Sequence, residues 1–447
     1  MNFEKIGLSV PKILLPKKGV DLNKWSVVAC DQYTSQPEYW SDVDKLVGDE
    51  PTTLRVTFPE VFLEDDNADE RIKDINDTME KYLADDILEE MEGFVLLDRK
   101  TSQAESRKGL MVALDLEKYD YSVGSQTLIR ATEGTIVDRL PPRVKIRENA
   151  KIEIPHIMVL IDDPECTVIE PLFEKDLEEV YNFELMMNSG HLKGYKIDDA
   201  ETINTIAEKL TAISQQEVFN KNYGVDDKGV LLFAMGDGNH SLATAKNIWE
   251  SKKAAAADKS TVMEDPARYA LVELVNVHDE GLEFEPIHRV VFNVNPSQMI
   301  QNMEPYFSEQ GSECSFELFT EESELNERVS ELRREENVHV VVFISKESKG
   351  LIKLKSPKLN LEVGNLQSFI DAYLEGQEEA YVDYIHGSDV VTDLGSKENN
   401  IGFYLPVLSK DELFKTVVLD GALPRKTFSM GEADEKRFYL ETRKITN

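Results

Sequence analysis

The chain has 447 residues, 41% of them hydrophobic, which is enough for real cores and too many for a disordered chain. Acidic residues outnumber basic ones 85 to 50, and the resulting net charge of −35 opposes non-specific contact with nucleic acid or anionic lipid. Against such a background any local cluster of arginines is informative.

Cys30, Cys166 and Cys314 are odd in number, far apart and without metal-ligand spacing, a pattern that suits buried thiols in a reducing compartment. No apolar run approaches the roughly 20 residues needed to span a bilayer. The opening MNFEKIGLSVPKILLPKKGV lacks the long apolar core of a signal peptide. The expectation is a soluble cytoplasmic protein with no membrane and no nucleic-acid partner.

In chain order, WSVVAC (Trp25 to Cys30) and TLRVTF (Thr53 to Phe58) read as strands, because β-branched and aromatic residues suit a pleated, buried surface. From Asp69 to Glu90, Ile72, Ile75, Met79, Leu83 and Ile87 fall at three- and four-residue steps, which predicts a helix. Strands are expected at Phe94 to Lys100, Gly109 to Leu116, His156 to Asp162 and Val230 to Met235. Helices are expected from Ile203 to Phe219, His240 to Lys253 and Asp265 to Val275. Later strands are His339 to Ser345 and Ile401 to Leu408, with a helix from Asn365 to Leu374. The fold class is α/β or α+β, with mixed sheets flanked by helices. A division near Asn295 gives an N-terminal and central α/β unit (1–295) and a C-terminal α/β unit (296–447).

The stretch LLFAMGDGNHSLATAK runs from a buried strand into a helix that places Leu242, Ala245, Ile248 and Trp249 on one face. Gly236 and Gly238 permit positive φ and close backbone approach. Asp237 or Asn239 is suited to cap the first helical turn. A helix start is also a natural anion site, since its free N–H groups and the positive end of the dipole point outward. Asp237, Asn239, His240 and Ser241 crowd directly behind a strand end, where α/β proteins place chemistry. His240 suits a general base or a phosphate donor, and Asp237 a metal ligand or a group orienting a hydroxyl.

The second notable segment, LIRATEGTIVDRLPPRVKIRENA, is an island of positive charge carrying Arg130, Arg139 and Arg143. Arginine forks match phosphate and carboxylate oxygens, so an anionic small-molecule ligand is expected there. Salt bridges to the acidic surface are the alternative. Glu133 sits among these arginines as a candidate base or metal ligand. His156 opens a strand that Asp162 and Asp163 close, while His288 and Arg289 precede another strand and are candidates to face the ligand from a second direction. The loop around Asp31 has a pocket-like mixture of polar and aromatic groups.

Taken together, CDQYTSQPEYW, IRATEGTIVDRLPPRVKIR, PHIMVLIDDP, GDGNHSLATAK, PIHRVV and LPRKTFSMGEADEKRFYLE resemble the prokaryotic family known as domain of unknown function 1015. That family's core motif is Asp-Gly-His-His-Arg. Asp237, Gly238 and His240 match it, while Asn239 stands for its first His and Ser241 for its Arg. The motif is in turn similar to the turn of the ParB and sulfiredoxin superfamily, whose members bind nucleotide phosphates at a helix N-terminus. The resemblance implies a ParB/sulfiredoxin-like nucleotide-binding core and phosphoryl transfer to a small metabolite, with Mg²⁺ accompanying the nucleotide. In that reading His240, Asp237 and Glu133 are catalytic. Gly238, Asn239, Ser241, Arg130, Arg139, Arg143, His288 and Arg289 bind the ligand. A nucleotide-sensing module without turnover and a metal-dependent hydrolase are the alternatives.

Overall fold

A computed structural model describes residues 1–446. The chain forms two compact units, one of residues 1–283 with 430–446 and one of residues 284–429.

The first unit is built on a mixed sheet of eleven strands among the described residues. Nine of them form one continuous path: β1 (Phe94–Lys100), β2 (Arg107–Asp115), β3 (Tyr119–Asp120), β4 (Ile129–Arg130), β5 (Met158–Ile161), β6 (Glu179–Glu184), β7 (His191–Ile197), β8 (Phe233–Asp237) and β9 (Tyr269–Asn276). Their spatial order is β6-β7-β1-β2-β9-β5-β8-β4-β3.

The central strands are apolar on both faces because each face has its own core. Leu110, Val112 and Leu114 of β2 and Ala270, Val272 and Leu274 of β9 point to one side. There they meet α3 (Ala200–Ile213), through Ile203, Ile206 and Leu210, and α4 (Asn239–Ala255), through Leu242, Ala245 and Trp249. Met111 and Leu271 point to the other side, against Ile75 and Met79 of α1 (Ala68–Ala84) and the tail residues Phe438, Tyr439 and Leu440. Between them in the chain lies the short α2 (Leu140–Arg147). The alternation of period two thus feeds two cores, and the expected mixed α/β architecture is the one observed.

Five local expectations change, and one of them is the helix expected from Ile203 to Phe219, which is two helices, Ala200–Ile213 and Gln216–Tyr223. The segment expected as a helix from Asp265 to Val275 is strand β9, whose residues after Tyr269 are all buried. A short apolar run enclosed on both faces carries no period that separates strand from helix. TLRVTF is a short 3₁₀ turn, capped where Thr52 Oγ1 accepts the Leu54 N–H at 3.2 Å. WSVVAC forms only a single bridge, Val28 to Phe438. The helix expected to Glu90 stops at Ala84, and Leu88–Glu92 is a strand.

The second unit carries an antiparallel six-stranded sheet: β10 (His288–Phe292), β11 (Glu313–Phe319), β12 (Val338–Ser345), β13 (Lys349–Lys355), β14 (Tyr381–Ile385) and β15 (Ile401–Tyr404), in the order β11-β13-β12-β15-β10-β14. Among the described residues no helix is long and apolar enough to cross a membrane.

Candidate functional site

Strand direction gathers the polar segments at one edge of the first sheet. β8 runs parallel to β4 and antiparallel to β5, with Asp237 opposite Met158. The carboxyl ends of β4 and β8 and the amino end of β5 therefore share an edge. Thr132 Oγ1 donates to the Met235 carbonyl at 2.7 Å, which fixes the loop carrying Glu133 beside the end of β8. A further layer comes from the chain ends. The Ala29 N–H donates to the Arg437 carbonyl at 2.9 Å and the Tyr439 N–H to the Val27 carbonyl at 2.8 Å. This pairing brings Asp31, Lys436 and Tyr439 to the same edge.

The tail is held there by buried ion pairs. Arg437 binds Glu273 at 2.6 Å, the Glu441 carboxylate, and the Pro155 carbonyl just before His156. Arg443 and Arg147 share the buried Glu153, each at 2.6 Å. Charges so deep are tolerable only because each is paired and hydrogen-bonded.

Gly238 precedes α4 at φ 78° and ψ 28°, in the left-handed region. A Cβ there would also lie 3.1 Å from Cα and Cγ1 of Ile157, so the position requires glycine. The expected cap is absent. The Asp237 carboxylate accepts the N–H of Gly238 at 2.7 Å, and no side chain caps the first turn of α4. The leading N–H groups of this helix thus lack the usual oxygen partner, at the positive end of its dipole. Asn239 Oδ1 and His240 Nε2 are buried and have no hydrogen-bond partner.

Burial works against the charge on Asp237, but Lys436 at 3.3 Å, His156 and the Gly238 N–H outweigh it and hold the carboxyl below its usual range. Burial, then the positive charges of Arg143 and Arg139, push His240 down to about 4 against the opposing pull of Asp31, so the ring is neutral near pH 7. Burial raises Glu60, with Arg143 opposing and Asp31 adding to the rise. Arg143 pairs with this Glu60 and also donates to the Arg139 carbonyl at 2.8 Å. His156 is central: Nδ1 meets the Tyr439 hydroxyl at 2.8 Å, and Nε2 lies 3.2 Å from Ser241 Oγ and 3.6 Å from Asp31 Oδ2. The Tyr439 hydroxyl also accepts the Cys30 N–H at 3.0 Å.

Of the residues expected from sequence, Asp237, Gly238, Asn239, His240 and Ser241 form the turn itself. Glu133 stands at the end of β4, and the charges of Arg139 and Arg143 reach His240. Arg130 points the other way. Its guanidinium donates to the carbonyls of Thr127 and Gly229, both upstream of the strands they precede. His288 and Arg289 belong to the second unit. Leu405 N–H donates to His288 Nδ1 at 3.0 Å. Arg289, fully buried, donates to Gln367 and to the carbonyls of Ile287, Arg425 and Lys426. Asp162 lies at the far end of β5 from His156, with His278 Nε2 at 2.6 Å and the Tyr223 hydroxyl. Among the described residues no group of three or more His, Cys, Asp and Glu is arranged to hold a metal. Glu60 carried no signal in the sequence, and Lys436 and Tyr439 lie in the stretch LPRKTFSMGEADEKRFYLE that carries the family resemblance, but only the folded pairing of the chain ends shows where they stand.

Several solved structures are distant likenesses. A free serine kinase variant in complex with AMP shares 10% identity at a TM-score of 0.37, over 78% of this chain and 95% of that one. A conserved hypothetical protein from Pyrococcus furiosus shares 12% at 0.33, over 75% and 95%. SbnI from Staphylococcus aureus, truncated at its C-terminus, shares 11% at 0.33, over 72% and 83%. No curated protein matches the chain. The model of the family DUF1015, a protein of unknown function, matches residues 14–373, and the chain belongs to that family.

Proposed function

We propose that the first unit binds a phosphorylated small molecule, a nucleotide before all others, at the Asp237–Ser241 turn, and transfers a phosphoryl group to a small metabolite. The observation that carries this reading is the uncapped start of α4, flanked by Lys436, Arg143 and Arg139 in a chain of net charge −35. The family motif, with its likeness to the ParB and sulfiredoxin turn, supports the same reading. Phosphoryl transfer needs positioning and charge neutralisation more than covalent chemistry.

In this account the N–H groups of Asn239, His240 and Ser241 cradle the phosphate, and the three cations neutralise it. His240, neutral near pH 7, offers a ring N–H to a phosphate oxygen. His156 Nε2 or the Asp31 carboxylate receives the proton of the acceptor hydroxyl. A Mg²⁺ accompanying the phosphates would be held mainly by the phosphate oxygens, with one carboxylate, Asp237 or Glu133, from the protein. Arg130, His288 and Arg289 take no part.

A thermal-shift screen with nucleoside mono-, di- and triphosphates, with and without Mg²⁺, tests the reading. A ligand at a hundred times its dissociation constant adds about 2.7 kcal/mol of apparent stability. The expected result is a shift with one class of nucleotide that is lost in Lys436→Gln and reduced in His240→Ala, which removes the ring donor. No shift with any nucleotide in folded protein would refute it.

A further inference from the structure

Behind the turn, inside the first unit, lies a cavity of about 140 Å³. Val56, Phe58, Leu63, Met79, Ile146 and Ile157 form its walls. The lining also holds polar groups: His156, Ser241, Thr244, Tyr439 and the paired charges Glu60–Arg143 and Arg147–Glu153. The apolar space therefore opens directly onto the first turn of α4. A cavity of about 150 Å³ accepts benzene, so by volume this one has room for a single ring or a short branched chain. The six wall side chains provide no strong hydrogen-bonding group. A charged or heavily hydroxylated body among them would lose its water without compensation.

Resting on the phosphate-binding reading above, we propose that this cavity is the subsite for the acceptor, and that the acceptor is a small alcohol with a phenyl or branched aliphatic body. Its hydroxyl lies at His156 and Ser241, and its body fills the apolar space. In the transfer, the alcohol oxygen bonds to the terminal phosphorus of the nucleotide and the bond from that phosphorus to the bridging oxygen breaks. The electron pair leaves with the shortened nucleotide, and the hydroxyl proton passes to His156 Nε2. A nucleobase is the poorer occupant. A ribose and any further phosphates separate it from the terminal phosphate, whereas the cavity meets the turn directly.

The test is a titration of full-length protein labelled with ¹³C at the methionine methyls. Met79 is one of 12 methionines, and its signal is assigned by its loss in Met79→Leu. The probes are benzyl alcohol and 3-methyl-1-butanol, with glycerol and serine as polar controls. The expected result is a saturable movement of the Met79 signal with both alcohols and none with the controls. Ala150, 6% exposed, also lines the cavity, and Ala150→Leu should weaken the alcohols at least tenfold while the nucleotide thermal shift persists. Should that variant fail to fold, the wild-type titration decides alone. A Met79 signal unmoved by either alcohol, or moved equally by glycerol, overturns the proposal, as does displacement of the alcohols by a nucleotide. Alcohol binding without nucleotide binding would leave the apolar subsite standing and overturn only the phosphate reading.

Discussion

His240 gives a prediction with a defined sign and size. Its ring is pushed from 6.5 to about 4, first by burial and then by Arg143 and Arg139. The unfolded chain therefore binds a proton between pH 6.5 and 4 that the folded chain refuses. Above pH 6.5 this penalty is absent. It grows as pH falls through that window and is complete below about 4. With these two values linkage sets a ceiling of about 2 kcal/mol on the stability lost between pH 7 and pH 5, and solvent screening at this half-buried ring brings it to about 1 kcal/mol. Replacement by Gln keeps a polar side chain and removes the titration. Urea unfolding of wild type and His240→Gln at pH 7 and pH 5 should show wild type losing about 1 kcal/mol more than the variant on acidification. Each transition must be checked for a single cooperative step, since two units are present. Equal losses in the two proteins would refute the argument, and so would a ring resonance of His240 titrating near 6.5.

Three further substitutions follow, two in the framework of the site and one as a surface control. Arg437→Met strands the buried carboxylates of Glu273 and Glu441 and should cost about 3–5 kcal/mol in urea unfolding. Lys12→Met, at the exposed pair with Glu90, should stay within about 1 kcal/mol. Gly238→Ala forces a Cβ onto a left-handed residue and against the Ile157 backbone, so it should cost at least about 1–2 kcal/mol and reduce any nucleotide thermal shift.

Much of this fold is legible in the residues. The strand from Phe94 to Lys100 falls within the bounds its pattern suggests, and α4 exceeds its expected ends by one and two residues. The helix has a clear period and clear stops, and the strand is a short apolar run between Gly93 and the polar loop after Lys100. β9 was not legible, because a strand buried on both faces shows no alternation. Nor does any local pattern show that residues 430–446 pack with the first unit, since that depends on pairs such as Arg437 with Glu273. The site follows the same rule. The chemistry of Asp237 to Ser241 is written in one short stretch. Arg130 and Arg143 look alike in sequence, and only strand direction and the Glu60 contact separate them. A cap by Asp237 or Asn239 was a sound expectation from composition. It fails because glycine in the left-handed conformation takes the cap position and turns the Asp237 carboxylate back onto Gly238.

The central claim is that phosphate binds at the start of α4. Glycine-selective ¹⁵N labelling tests it most directly, because Gly236 and Gly238 frame the turn while Gly350 and Gly364 report on the second unit. Gly238 is assigned by its loss in Gly238→Ala. On titration with the nucleotide that stabilises the protein most, the account predicts that the Gly236 and Gly238 amide signals move together and saturate, while Gly350 and Gly364 stay still. Movement confined to the glycines of the second unit, with Gly236 and Gly238 unmoved at saturation, would contradict it.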